Sequence, residues 1–442
     1  MNTQQAVLRS EFAVDSEKRL VRRAAAGSFI GNFVEWFDYA AYGYLATIIA
    51  AVFFPSEDRA TALMSTFAVF AISFFIRPVG GVIWGHIGDR IGRRDALSLS
   101  ILIMSGSTFL IAFLPSYEMV GIWAPVLLLL VRLVQGFSAS GEYAGASAFI
   151  AEYAPPKSRG LYTSLVPAST AVGLLFGSLL VAWMYTVLTT EEMHSWGWRL
   201  PFLLAAPFGL IGRWIRTNLE DTPAFRAMES KHAHKEAAPI RLLLTRYRRT
   251  VIVALGVSSL NAVGFYVLLS YMPTYLSTEQ GLSEAASFRA ATIALVAYIG
   301  FIFLMGKLSD IFGRKTMLVV AAMSFMAMSV TLFQALPGAS FETMLMIQIM
   351  FGLLLAMNDG TLACFLAETF PTSVRYSGFA LSFNLANTLF GGTAPFICTW
   401  LIKNTGNPFA PAWYLVVAAA VSLVAILATR AHSGDDFIEA RT

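Results

Sequence analysis

The sequence predicts an all-α membrane protein with twelve transmembrane helices in two six-helix bundles related by a pseudo-twofold axis. The 442 residues are 57% hydrophobic and only 13% charged, whereas soluble domains contain about 25% charged residues. The mean hydropathy is +0.64, and uncharged stretches longer than the roughly 18 residues that cross a bilayer recur along the chain. The two halves also repeat one another. A soluble enzyme is excluded by this composition.

Twelve apolar segments of helical length follow one another along the chain. The predicted spans are 27–53, 61–84, 96–115, 121–148, 160–187, 199–217, 250–276, 286–307, 316–336, 341–367, 376–402 and 410–429. Because the number is even, both termini lie on the same side. A cytoplasmic N-terminus puts most of the 31 Lys and Arg residues in cytoplasmic segments, as the positive-inside rule requires.

One long polar connection divides the chain into halves. We expect a cytoplasmic tail at 1–24, bundles at 25–217 and 250–430, a cytoplasmic linker at 218–249 and a second cytoplasmic tail at 431–442. The first 24 residues are polar and basic and lack the short apolar region of a signal peptide. We therefore expect no cleaved leader.

The two halves carry the same motifs at the same places. GHIGDRIGRR begins at Gly85 and GKLSDIFGRK at Gly306, after the second span of each half. A second motif, Glu-x-x-Pro-x-x-x-Arg, follows the fourth span of each half. The matching positions are Asp89/Asp310, Gly92/Gly313, Arg93/Arg314, Glu152/Glu368, Pro155/Pro371 and Arg159/Arg375. Parallel repeats of six spans are found in secondary transporters whose substrate site lies at mid-membrane between the halves.

The repeated loop resembles the conserved loop motif of the major facilitator superfamily. Further motifs are similar to its metabolite:proton symporter family, and GEYAGAS, AEY and EDTPAF resemble the proline/betaine branch. These motifs are GNFVEWFDYAAYGYLA from Gly31, IRPVGG from Ile76, RLVQGFSASGEYAGAS from Arg132, WGWRLPF from Trp196, EDTPAF from Glu220 and FPTSVRYSG from Phe370. The resemblance implies the major facilitator fold and a bacterial inner-membrane location. It does not imply osmotic gating, because the long C-terminal coiled coil of the osmosensing member has no counterpart before Thr442.

Ionisable residues inside the spans are the first candidates for a site, since each costs at least about 2.5 kcal/mol to insert and faces a cavity or a partner. Glu35 and Asp38 lie roughly 15–20 Å along the first span and Arg132 roughly 16 Å along the fourth, near mid-depth. Two acids three residues apart share a helix face, and their repulsion favours a proton on one of them. We predict that Glu35, Asp38 and Arg132 couple transport to protons. The alternative is a permanent ion pair that holds two helices in register.

Three further polar residues lie in the same half. Gln135 is expected to contact substrate, whereas Glu142 near the inner boundary either packs and gates or handles protons. Arg77 is expected to be a structural partner close to the repeated loop, which leaves Arg132 as the only base at mid-depth. This charge balance disfavours a polyanion as the substrate.

Polar and aromatic residues of the spans supply the candidates for substrate binding. Asn side chains hydrogen-bond either a substrate or a neighbouring helix, and aromatic rings attract a quaternary ammonium group. Asp359 stands out because a lone acid needs a partner or a proton. The predicted substrate-binding residues are Trp36, Tyr39, Gln135, Asn261, Tyr266, Asn358 and Asp359; Tyr42, Tyr271, Tyr275, Asn384 and Asn387 are weaker candidates.

The repeated loops have a separate predicted task. Asp89 and Asp310 can accept hydrogen bonds from helix N-termini across the interface between the halves, while pairing with Arg93 and Arg314. We expect this contact to form a gate that breaks on inward opening. The alternative is that the basic residues only set the topology.

The predicted function is proton-coupled import of a small polar metabolite, most simply a zwitterion such as proline or betaine. An organic carboxylate with protons and an uncoupled uniporter remain alternatives. The partners are the substrate, protons and the lipid bilayer. We expect no enzyme activity, cofactor, metal, nucleic acid or obligatory protein partner, since the sequence shows no metal-ligand spacing or phosphate-binding loop.

Overall fold

The computed structural model describes residues 3–55, 59–230 and 239–429; the predicted tail 431–442 lies outside them. The helices of the first half follow in chain order. They are α1 Thr3–Tyr44, α2 Ala46–Phe53, α3 Arg59–Phe75, α4 Arg77–Ile91, α5 Arg93–Ile111, α6 Tyr117–Val120, α7 Trp123–Ala139, α8 Glu142–Tyr153, α9 Arg159–Thr163, α10 Leu165–Val187, α11 Thr190–Ser195 and α12 Leu200–Thr217.

Two short helices lie in the described part of the linker, and eight more form the second half. They are α13 Pro223–Ser230, α14 Pro239–Thr245, α15 Arg248–Phe265, α16 Met272–Thr278, α17 Glu284–Phe312, α18 Arg314–Gln334, α19 Phe341–Thr369, α20 Arg375–Ala386, α21 Ala394–Thr405 and α22 Ala410–Ala428. Short 3-10 segments lie at Pro156–Ser158, Gly197–Arg199 and Thr372–Val374, and π-helical segments at Tyr266–Tyr271 and Asn387–Gly391.

The predicted all-α membrane architecture is confirmed. Nine helical stretches of the described residues are long and apolar enough to cross a membrane, and the α1–α2 pair makes a tenth. The other two predicted spans correspond to α3 with α4, of 17 and 15 residues, and to α12, of 18 residues. All twelve predicted spans therefore have helical counterparts.

Two predicted spans are not straight. The first bends by 70° between α1 and α2. The second breaks at Ile76, after which Arg77 begins α4 with Pro78 in its first turn, a position that proline favours because its missing N–H would be unpaired there. Since α4 runs on to Ile91, Arg77 lies about 21 Å from the end of α4 that carries the repeated loop, farther from that loop than the sequence suggested.

The halves meet most extensively where α4 packs against α20 and α9–α10 against α17, and α8 also contacts α19 and α20. The repeated motif permits these close approaches. A Cβ on Gly85 would lie 2.4 Å from Ser377 Cα, and one on Gly306 would lie 2.6 Å from Ser164 Cβ. Gly92, which separates α4 from α5, has a φ of 111°, which favours glycine. The repeat therefore encodes both the turn and the interface.

Candidate functional site

Asp38 on α1 and Arg132 on α7 form a buried ion pair. Arg132 Nη1 lies 2.6 Å from Asp38 Oδ2 and donates to Gln135 Oε1 at 2.6 Å. Gln135 Nε2 in turn donates to Asp38 and to Thr108 Oγ1, and the guanidinium lies 3.8 Å from the centre of the Tyr42 ring. The predicted contact between Asp38 and Arg132 is confirmed. With 1% and 0% exposure, the pair is closed off from solvent.

Glu35 pairs with a different base. Arg77 Nη2 lies 2.6 Å from Glu35 Oε1 and also donates to the Tyr39 hydroxyl. The Arg77 guanidinium lies 4.4 Å from the centre of the Phe74 ring. The expectation that Arg132 is the only base at mid-depth is wrong, because the position of α4 brings Arg77 to the level of Glu35. Glu35 and Asp38 thus belong to two separate acid–base pairs.

A cavity opens between the two halves at the level of Glu35. The cavity is narrow in this conformation, with a volume of about 30 Å³ open to the centres of water-sized molecules. The lining includes Glu35, Trp36, Arg77 and Tyr143 from the first half and Asn261 and Asp359 from the second. Four of these residues each carry a buried polar atom without a hydrogen-bond partner among the described residues, namely Glu35 Oε2, Trp36 Nε1, Arg77 Nε and Tyr143 OH. Buried polar atoms are almost always bonded to protein or to ordered water, so these atoms mark a place for water or for a polar ligand.

Asp359 lies on the opposite side of this cavity, on α19. It is 2% exposed and accepts hydrogen bonds from the Asn261 amide and the Tyr298 hydroxyl. No basic side chain of the described ranges forms an ion pair with it. The second half therefore contributes to the cavity an acid that has hydrogen bonds but no counter-charge.

The seven residues predicted to bind substrate do not all reach the cavity. Trp36, Asn261 and Asp359 line it. Tyr39 and Tyr266 lie beside it, where both pack against Phe74. Gln135 bonds to Asp38 instead, and Asn358 is fully buried without a side-chain partner among the described residues. Tyr143, Phe265 and Phe383, which also line the cavity, were missed because their positions depend on how the halves meet.

The repeated loop of the first half forms a latch with the second half. Asp89 accepts hydrogen bonds from the N–H groups of Tyr376 at 3.1 Å and Ser377 at 2.9 Å, in the first turn of α20. The Ser377 hydroxyl donates to it at 2.6 Å, and Arg93 Nη2 lies 3.1 Å away. A carboxylate at a helix N-terminus is stabilised by unpaired N–H groups and by the helix dipole.

The loop of the second half repeats this arrangement. Asp310 accepts hydrogen bonds from the N–H groups of Gly160 at 2.8 Å and Leu161 at 2.9 Å, in the first turn of α9. Arg314 Nη1 lies 2.8 Å from it. The predicted contacts of both loops with helix N-termini are confirmed. Their part in gating stays a prediction.

Each latch contains a second carboxylate that sequence reasoning did not assign to it. Glu152 and its repeat counterpart Glu368 each lie between an arginine of their own half and one of the other half. The distances are 3.4 Å for Glu152–Arg93, 2.5 Å for Glu152–Arg375, 3.5 Å for Glu368–Arg314 and 3.1 Å for Glu368–Arg159. The repeated Glu-x-x-Pro-x-x-x-Arg motif was the available signal.

The linker supports the first latch. Asp221 accepts hydrogen bonds from the N–H groups of Arg93 and Arg94 at 3.3 Å each, in the first turn of α5. Burial raises the pKa of the Asp221 carboxyl, because the surrounding chain removes it from water. Thr222 donates to Glu152 through its hydroxyl. The linker therefore helps to orient the carboxylate that crosses the interface.

Glu142 is a packing residue by its geometry. Both of its oxygens contact Arg216, one of them at 3.0 Å. Arg216 also donates to the carbonyl oxygens of Gly27 at 2.9 Å and Leu97 at 2.8 Å. This buried pair joins α1, α5, α8 and α12 and lies apart from the cavity lining.

Two family models and several curated proteins match the chain. The model for the Major Facilitator Superfamily matches residues 28–295, and that for Sugar (and other) transporter matches residues 227–442. The chain is 38% identical over 415 residues to the glycine betaine/proline/ectoine/pipecolic acid transporter OusA of Dickeya dadantii (strain 3937), covering 91% of this chain and 82% of that protein. It is 35% identical over 428 residues to the proline/betaine transporter of Escherichia coli (strain K12), covering 94% and 84%.

Solved structures share the fold at lower sequence identity. The proton:xylose symporter XylE bound to 6-bromo-6-deoxy-D-glucose has a TM-score of 0.75 at 19% identity, covering 93% of this chain and 95% of that one. FucP in the outward conformation has a TM-score of 0.65 at 14% identity, covering 90% and 97%. At these identities the likeness establishes the fold alone.

Proposed function

The chain belongs to the major facilitator superfamily, and from this premise we propose that it is a symporter that imports a zwitterionic osmolyte, such as betaine or proline, together with protons. It is a multi-pass membrane transporter and not an enzyme. The observation that carries the proposal is the cavity between the halves, which holds an acid–base pair with unbonded polar atoms. The names of the curated relatives support the choice of substrate.

The proton sites are the two acid–base pairs of α1. Protonation of Glu35 cancels its charge and frees Arg77, which can then bind the carboxylate of a substrate in the cavity. A second unit consists of Asp38, Arg132 and Gln135. It is closed to solvent in this conformation and becomes accessible to water when the halves move. The alternative is that both pairs are permanent, which the cost of breaking a buried ion pair, about 3–5 kcal/mol, would favour. In that case both pairs must be present in every state of the transport cycle.

The moving parts are the bundles 25–217 and 250–430, joined by the linker 218–249. Both latches are formed in this structure, so opening toward that side requires the carboxylates to leave the helix N-termini. We propose that Asp89, Arg93, Asp310 and Arg314 control this step. The latch side faces the cytoplasm, as do both termini, and the protein works in the bacterial inner membrane without an obligatory protein partner.

Substrate binding is assigned to the predicted residues that line the cavity: Trp36, Asn261 and Asp359. Tyr39 and Tyr266 support the cavity wall, and Gln135 orients Asp38. Asn358 has no contact that gives it a role. The second candidate function is symport of an organic carboxylate, which Arg77 favours because it adds a base to the cavity.

Uptake into proteoliposomes under an imposed pH gradient tests the proposal, with betaine, proline, citrate, α-ketoglutarate and shikimate compared side by side. We expect betaine and proline to accumulate and a protonophore to abolish the accumulation. Asp38→Asn should abolish gradient-driven accumulation while substrate exchange continues; Glu279→Gln, an exposed acid, is the matched control. Accumulation of the carboxylates alone would favour the second candidate, and uptake indifferent to the gradient would indicate a uniporter.

A further inference from the structure

Asp359 is the buried acid that the proton mechanism leaves unused. It lies on α19 in the second half, whereas the two acid–base pairs lie in the first. Its carboxylate already accepts one hydrogen bond on each oxygen, from Asn261 and from Tyr298. Because both oxygens are already hydrogen-bonded, Asp359 would attract a ligand mainly through its negative charge.

Aromatic side chains face the same cavity in two pairs, and each pair joins the two halves. Trp36 packs against Phe265 with ring centres 5.0 Å apart, and Tyr143 stacks on Phe383 at 4.3 Å. All four residues line the cavity with Asp359. Aromatic faces beside a carboxylate suit a cation that has no N–H groups to donate.

We propose that Asp359 and this aromatic cage recognise the positive charge of the substrate, and that the preferred substrate is a quaternary ammonium carboxylate. The proposal rests on the proposed function and deepens it. Asp359 is the specificity-determining residue, and Arg77 on the opposite half binds the substrate carboxylate. The zwitterion thus bridges the two halves, with its negative end toward α4 and its positive end toward α19.

The charges explain why such a ligand needs a proton to bind. With Glu35 ionised, Arg77 is neutralised and the cavity has the single uncompensated charge of Asp359. With Glu35 protonated, the cavity presents one positive and one negative group, which complement the two ends of a zwitterion. A plain carboxylate of the same shape would satisfy Arg77 but would leave Asp359 without a counter-charge.

Two ligands of the same shape test the proposal in proteoliposomes: betaine and 3,3-dimethylbutanoate, in which carbon replaces the charged nitrogen. Each competes with labelled betaine for binding to the wild-type protein. We expect betaine to bind on the order of 100-fold more tightly, since an unpaired buried charge costs several kcal/mol. Asp359→Asn should reduce this ratio at least about tenfold, mainly by weakening the binding of betaine. Glu342→Gln, an exposed acid on the same helix, should leave it unchanged.

A methylation series adds a test on the wild-type protein that needs no variant. Affinity should rise from glycine through sarcosine and dimethylglycine to betaine. The opposite order would overturn the proposal, because it would mean that the site binds the ammonium group through its N–H donors. Equal binding of the two isosteres, or an unchanged ratio in a folded Asp359→Asn protein, would also overturn it. If the wild type binds neither betaine nor proline, the proposed function itself has failed.

Discussion

Replacing Asp89 by asparagine should open the latch that closes one side of the cavity. The carboxylate accepts three hydrogen bonds from Tyr376 and Ser377 and pairs with Arg93. Asparagine keeps one oxygen and turns an amide N–H2 group toward the same donors. Bonds to a charged acceptor are worth about 1.5–3 kcal/mol and those to a neutral one about 0.5–1.5 kcal/mol. A net loss of about 3 kcal/mol shifts the closed-to-open ratio about 100-fold.

Thiol accessibility measures this shift. Ser140 lines the cavity and is 2% exposed, so the thiol of Ser140→Cys should react with a membrane-impermeant reagent only when a path opens. The two native cysteines, Cys364 and Cys398, are buried and are replaced in this background. Asp89→Asn should raise the labelling rate from the latch side by one to two orders of magnitude, with no increase from the opposite side.

Asp95→Asn is the matched control. Asp95 lies next to the loop, in the first turn of α5; its side chain is 49% exposed and pairs only with its neighbour Arg94 among the described ion pairs. Exposed pairs of this kind are worth about 0–1 kcal/mol, so its labelling rate should stay near that of the parent. Equal rates for Asp89→Asn and the parent in a folded protein would refute the latch as a determinant of closure.

Two other substitutions separate closure from stability. Gly85→Val should also prevent closure, because even a Cβ would lie 2.4 Å from Ser377 Cα; raised labelling from the latch side is expected, and full protection would contradict the close approach. Glu142→Gln should leave the charge of Arg216 buried and unpaired, which costs about 3–5 kcal/mol. Thermal unfolding in detergent should show a lower Tm than the exposed control Glu118→Gln, and an unchanged Tm would show that the pair contributes little.

The fold could be predicted because each membrane-spanning helix requires an apolar segment that is visible in the local composition of the sequence. Apolar segments and basic loops located all twelve spans, and the repeat showed that there are two halves. Breaks inside the spans were less visible. The interruption at Ile76 comes just before Pro78 in the first turn of α4. In the sequence alone, a proline that begins a new helix cannot be told from a proline that kinks a continuous one.

The site could be predicted only in part, because the depth of a residue along its helix does not show which residues of other helices it contacts. The contact between Asp38 and Arg132 followed from their matching depths. The contact between Glu35 and Arg77 did not, since the second span was ended too early and its arginine was placed near the loop. Tyr143 carried no signal of its own: its hydroxyl belongs to the cavity only because its ring stacks on Phe383 from the other half.

The duplication is kept at the latches and lost at mid-membrane, and the two patterns suit two tasks. The proposed gate across a twofold interface gains from equal contacts on both sides, and Asp89 and Asp310 make such contacts. A site that binds a proton and a dipolar substrate needs unlike groups on its two sides. The first half supplies Glu35 with Arg77, and the second supplies Asp359 without a base. In the proposed mechanism each half offers half of a complementary site, so the ligand binds tightly only when the two halves approach, and substrate binding is thereby linked to the movement of the halves.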